Sequence, residues 1–196
     1  MRAAWLRQAY DIHVLMSESP SNTDWHAQGV SHFRAGQLDA AQLAFESAWA
    51  EAQRANDKRR SAEAANDLGV TFQKLKQRDR AKRQFETAIA LFAELRDDPR
   101  RAQALGNLGT LLGEMRKFRE AEMRLEQAAT VFHQTGDLRS ESLTLKWLSR
   151  VHLQHGDVFG AILAYERALA RLEPLPFGQR LLRRFLQIPL RMISHG

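Results

Sequence analysis

Small and large apolar residues recur along the chain every forty positions, between stretches of polar ones. Gly29, Gly69, Gly109 and Ser149 form one column, and Ala41, Ala81, Ala121 and Ala161 a second. Phe45, Phe85, Leu125 and Tyr165 form a third, and Ala48, Ala88, Ala128 and Ala168 a fourth. No insertion or deletion breaks the spacing across about 140 residues. A fixed period of this kind marks an array of units, each of which buries its apolar face against its neighbours. Twelve residues lead from the glycine to the first alanine and seven more to the second, which fits two antiparallel helices per unit with both alanines on one face of the second helix. A glycine inside a helix costs about 1 kcal/mol relative to alanine, so a recurring one needs a packing reason. The expected reason is close backbone approach, with the small residues facing one another and the large residue of the third column filling the space between neighbouring helices.

The columns resemble the tetratricopeptide repeat, with its large residue, Leu-Gly, a further large residue three on, and then Ala, Phe or Tyr, Ala. Trp25, Gly29, Gly36, Ala41, Phe45 and Ala48 match in the first unit, and Leu68, Gly69, Phe72, Ala81, Phe85 and Ala88 in the second. Leu105, Leu108, Gly109, Leu112, Ala121, Leu125 and Ala128 match in the third, and Leu145, Leu148, Gly156, Ala161, Tyr165 and Ala168 in the fourth. Gln28, Ser149, Lys76 and Arg116 depart from the motif, the last two where the turn often carries glycine. The period of forty, in place of thirty-four, resembles the subclass of Partner-of-Inscuteable adaptors, kinesin light chains and bacterial Rap-like regulators, with extra residues around 55–57, 96–99 and 135–137. The resemblance spans residues 22–173, as units 22–61, 62–101, 102–141 and 142–173. It implies an all-α, right-handed superhelix of four helical hairpins, an α-solenoid.

Composition agrees with one elongated domain. The chain has no cysteine, which excludes disulfides and suits a reducing compartment. No apolar run is long enough to span a membrane, and Arg7, Gln8 and Asp11 interrupt the apolar start of the chain. A cytoplasmic, bacterial protein is the expectation.

The ends lie outside the four units. Residues 1–21 read as an N-terminal capping helix and loop; the helix is either a worn second helix of an earlier unit, with Trp5 in the aromatic column, or an unrelated amphipathic cap. Pro174 and Pro176 stop the last unit, and residues 174–196 form a basic amphipathic segment without acidic residues. Phe177, Leu181, Leu182, Phe185, Leu186 and Ile188 recur at helical spacing beside Arg180, Arg183, Arg184 and Arg191. This face either caps the open end of the stack, joins a second copy, or lies on an anionic membrane.

The resemblance places ligand binding on the concave face, lined by the first helix of each pair. The residues expected there include His26, Val30, Phe33 and Arg34, then Asn66, Val70, Gln73 and Lys74, then Gly106, Thr110, Gly113 and Glu114, then Lys146, Arg150, Leu153 and Gln154. Lys146 and Arg150 are one turn apart and converge. They stand where chaperone-binding relatives clamp a terminal carboxylate, whereas His26, Val30 and Val70 occupy the rest of that clamp. The pair points to an acidic peptide, which arginine can bind bidentately, or else to two solvated charges. Asn66 suits a peptide backbone or water, and Gly106 and Gly113 leave the middle of the groove open to a bulky partner side chain.

Lysine and arginine outnumber aspartate and glutamate by 29 to 23, for a net charge of +6. Lys58, Arg59 and Arg60, then Arg96, Arg100 and Arg101, then Arg139 fall at equivalent turns and align along one edge. Asp57, Asp97, Asp98, Asp137 and Glu141 are interleaved with them, which weakens the field nucleic acid would need. His152 and His155 have no third ligand at comparable spacing, so a packing histidine is expected at 152, as at His32 in the same column. Ser149 has no partnered histidine, and Glu46, Glu86, Glu126 and Glu166 repeat, which argues for structure over catalysis. The reading is a non-enzymatic, cofactor-free adaptor that binds an acidic peptide or helix in its groove. The alternatives are self-assembly through the C-terminal helix, and peripheral binding of anionic membrane or nucleic acid through the basic ridge and tail.

Overall fold

The computed structural model describes residues 24–171 and Gly178, and these contain eight α-helices packed in sequence as four hairpins. The hairpins are α1 Trp25–Arg34 with α2 Leu38–Arg54, α3 Lys58–Lys74 with α4 Arg78–Glu94, α5 Asp98–Glu114 with α6 Phe118–Gln134, and α7 Leu138–His155 with α8 Val158–Ala170. The N-terminal cap, the Trp5 register and the whole of 174–196 apart from Gly178 lie outside the described residues.

Local chemistry sets the helix ends. Asp57, Asp97 and Asp137 each cap the first helix of a unit, accepting from the amides of Arg60, Arg100 and Ser140. These caps start helices at 58, 98 and 138, four residues ahead of the unit boundaries at 62, 102 and 142. Burial pushes the Asp97 carboxyl up, but the Arg100 side chain and amide, with Arg59, outweigh it and hold it below its ordinary range. At the turn inside the second and third hairpins, Lys76 and Arg116 take left-handed φ angles of 62° and 60° where Gly36 and Gly156 take 75° and 88°. Only glycine adopts that region without steric cost, so the two departures from the motif are points of backbone strain.

One continuous core runs through the stack from Ala41 and Phe45 to Ala164 and Ala168. Its repeating contact differs from the one expected. Each glycine faces the large residue of the second helix, not another small one: a Cβ on Gly29 or Gly69 would lie 2.5 Å from the ring of Phe45 or Phe85. A Cβ on Gly109 would lie 2.7 Å from Leu125 Cγ and 3.2 Å from the Ala121 carbonyl, so backbone approach matters too. In the last hairpin Ser149 keeps its Cβ and donates its hydroxyl to the Ala161 carbonyl at 2.7 Å, which turns the same close approach into a hydrogen bond.

Adjacent hairpins are also joined by polar contacts. The recurrent glutamates contribute unevenly: Glu46 bonds Arg80 and Glu126 takes both Nη atoms of Arg167, whereas Glu86 pairs with Lys82 inside its own helix. Glu141, only 2% exposed, accepts from Arg171 at 2.7 Å.

Overpacking these columns tests them. Gly69→Ala and Ala81→Leu should each destabilise the protein by about 1–3 kcal/mol, read as a lower urea midpoint with unchanged helical circular dichroism. An unaltered midpoint in both would contradict the column assignment.

Candidate functional site

The faces of α1, α3 and α5 line up through bonds that step forty-one residues from one hairpin to the next. His26 Nε2 meets Asp67 Oδ2 at 2.9 Å, Asn107 Nδ2 donates to Asn66 Oδ1 at 3.0 Å, and Gln73 Nε2 donates to Glu114 Oε1 at 3.0 Å. Four of the expected groove residues, His26, Asn66, Gln73 and Glu114, therefore face a neighbouring helix. Asn66 is 8% exposed with its carbonyl oxygen taken, so it serves the stack in place of a peptide backbone.

The His26 imidazole also packs against Phe45, with ring centroids 5.7 Å apart. Its bond to the Asp67 carboxylate raises its pKa above the ordinary 6.5; burial opposes this, and the charges of Asp67, Glu63 and Asp24 reinforce it.

Of the remaining candidates, Arg34, Lys74 and Arg150 stay open to solvent and Thr110 and Lys146 are half-buried. Arg34 and Lys74 are exposed at the ends of α1 and α3, and Arg34 borders a hollow of about 190 Å³ with Val30, Phe33, Asp67 and Val70. Between α5 and α7 two depressions adjoin, of about 350 and 70 Å³, and Trp147 lines both. Thr110 is shared by them too, its hydroxyl donating to the Gly106 carbonyl. Gly113 leaves less room than its size implies, because Val151 comes within 3.0 Å of where its Cβ would be. Arg150 reaches the smaller depression, its guanidinium carbon 5.3 Å from the Trp147 ring, within cation–π range. Lys146, half-buried, lies one turn before it on α7.

Trp147 is the principal groove residue that column reasoning passes over. Its signal was a large aromatic in a column otherwise filled by Ala27, Asp67 and Asn107.

Charges on the edge of the stack behave differently from those in the groove. Lys58 pairs with Glu94, Arg59 with Asp97, Arg60 with Glu51, Arg100 with Glu63 and Asp97, and Arg101 with Asp98. A wider groove of about 740 Å³ between α4 and α6 has its rim acids Glu86 and Glu126 held by Lys82 and Arg167.

Two of the described histidines of α7 lie near carboxylates. His155 Nδ1 lies 3.2 Å from Glu122 Oε1, and His152 Nδ1 lies 3.0 Å from Asp157 Oδ2. His152 is packed but its Nδ1 has no well-aligned hydrogen bond among the described residues, which corrects the expectation of a satisfied packing histidine. His32 sits near the surface with Nδ1 2.6 Å from Gln37 Oε1, so the shared column is core only at Phe72 and Leu112. Among the described residues no three histidine or carboxylate groups converge to hold a metal ion. Phe177, Leu181, Leu182, Phe185, Leu186 and Ile188 lie outside the described residues.

The family profile of the tetratricopeptide repeat matches residues 60–134. The fold is similar to BtubC (BKLC) from P. vanneervenii, at 22% identity over 81% of this chain and 70% of that one, with a TM-score of 0.71. It is also similar to the repeats of a putative kinesin light chain from Podospora anserina, at 19% identity over 87% and 93%, TM-score 0.68. The N-terminal domain of stress-induced protein-1 from C. elegans matches at 21% identity over 67% and 98%, TM-score 0.55. No curated protein matches the chain. Residues 60–134 thus carry the tetratricopeptide-repeat pattern, and the four packed hairpins share the fold of such repeats. Such repeats are typically scaffolds for protein–protein interaction and generally not enzymes. Among the described residues no helix is long and apolar enough to cross a membrane.

The His26–Asp67 bond predicts a pH dependence. A histidine whose pKa is raised on folding stabilises fully below its unfolded value near 6.5 and loses that contribution as pH rises through the folded value. Wild type should therefore melt above His26→Gln below pH 6.5, with the gap closing at alkaline pH; a gap independent of pH would contradict the pair.

Proposed function

We propose that the protein is a non-enzymatic adaptor that holds an acidic peptide or helix against its first-helix groove. One observation carries this reading: the groove keeps four cations without an ion pair, while on the ridge Lys58, Arg59, Arg60, Arg100 and Arg101 are paired and only Arg96 and Arg139 are not. Arg34, Lys74, Lys146 and Arg150 form no ion pair with another described residue. An unpaired guanidinium beside an aromatic wall gains more from an incoming carboxylate than one already neutralised. The same contrast disfavours nucleic acid or anionic membrane on the basic ridge, where Lys58, Arg59, Arg60, Arg100 and Arg101 have partners.

Replacing Lys146 and Arg150 together by alanine should weaken binding of a fluorescein-labelled Glu-rich peptide about tenfold or more, at an unchanged melting midpoint. Wild-type binding should also fall with added salt. Equal affinity in wild type and the double variant would refute the assignment.

Self-association at the C-terminal end is the second reading, and it too has an observation behind it. The last of the described helices in the stack, α8, exposes Val158, Phe159 and Leu163 at 59%, 45% and 42%, an apolar surface for a second copy or for the chain's own tail. Light scattering decides: a dimer that becomes a monomer on deletion of 177–196 supports assembly, and a monomer at all concentrations opposes it.

A further inference from the structure

We propose that the hollow beside Gly106 selects the ligand of the groove by taking one aromatic side chain that carries a hydrogen-bond donor. This rests on the adaptor reading above and specifies what the groove recognises beyond charge.

Gly106 differs from the other helical glycines. Gly29, Gly69 and Gly109 have no room for a Cβ, and Gly113 is crowded by Val151. At Gly106 the nearest atoms to a Cβ, on Ala128 and Thr144, are 3.9 Å away, an ordinary contact. A glycine in the interior of α5 costs about 1 kcal/mol relative to alanine, and packing here does not require one. Its missing side chain instead opens the cavity of about 350 Å³ between α5 and α7, lined by Leu125, Phe132, Leu143 and Trp147. At the same column one unit earlier stands Asn66, whose amide accepts from Asn107.

The polar groups of the hollow set the chemistry of its occupant. Thr110 donates its hydroxyl proton to the Gly106 carbonyl and Thr144 donates its own to Ser140. Both oxygens are left as acceptors, while Asn107 has committed one of its two amide protons to Asn66 and the Gln103 amide also borders the hollow. Apolar walls with hydroxyl acceptors and two amides at the rim suit an aromatic ring whose edge bears a hydroxyl or N–H that can donate to them. Arg150 stands on the far side of Trp147, in the adjoining depression, so the same segment can present a carboxylate to it.

The test uses short fluorescein-labelled Glu-rich peptides, identical except for a central Tyr, Phe or Ala. Wild type should bind the Tyr peptide about tenfold to a hundredfold more tightly than the Ala peptide, with Phe between. Gly106→Leu, which fills the hollow, should abolish that preference without lowering the melting midpoint. Should Gly106→Leu lose its fold, Gly106→Ala carries the test, since its Cβ meets only ordinary contacts, and the preference should narrow. Equal binding of the three peptides by wild type, or an undiminished preference in the filled variant, overturns the proposal. If the three bind equally and still depend on Lys146 and Arg150, the hollow is refuted and the groove reading stands; if none binds, both fall.

Discussion

The contact between a glycine of the first helix and a ring or leucine of the second is the constraint from which the rest of the structure follows. It draws the two helices of a hairpin together until a single Cβ would collide with Phe45, Phe85 or Leu125. Because interiors are packed to crystal-like density, a fixed distance inside the hairpin also fixes where its outer faces lie. The next hairpin then docks in an orientation repeated through the stack, which is why three separate polar bonds between first helices share one sequence step, from His26 to Asp67, Asn66 to Asn107 and Gln73 to Glu114. The fourth hairpin reaches the same approach by another route, the Ser149 hydroxyl on the Ala161 carbonyl.

A regular stack separates two kinds of surface. Along the edge, cations and anions of successive units fall opposite one another and neutralise, as in the pairing of Arg59 with Asp97 and of Arg100 with Glu63. Across the first-helix groove the later units diverge from the repeat. Gly106 withdraws a side chain, Trp147 adds one, and Arg150 projects beside it without an ion pair, the Glu114 carboxylate of the same depression accepting from Gln73 instead. Function in a repeat protein is sought where the repeat is broken, since the unbroken columns are accounted for by packing.

Much of this was legible in the sequence because the fold is one-dimensional: a contact present in one hairpin recurs forty residues later and shows as a column. Gly69, Ala81 and Phe85 could thus be placed in the core from spacing alone, and Asp57, Asp97 and Asp137 at the unit junctions fit the caps observed. The partner of each glycine was misread, since column spacing tells which residues share a face but not how far a ring leans across to the opposite helix. The groove was harder to read. Asn66 and Gln73 were expected to meet ligand, but their bonds depend on the rotation of one first helix against the next, which a single helix does not encode. Trp147 escaped because its column has no common character.

A double-mutant cycle across the second hairpin tests the central contact most directly. Gly69→Ala and Phe85→Ala are made singly and together, and stability is measured by urea unfolding. If the glycine exists to admit the ring, removing the ring should erase the cost of the added methyl, for a coupling of about 1–3 kcal/mol. An equal cost of Gly69→Ala with and without the Phe85 ring would contradict the account.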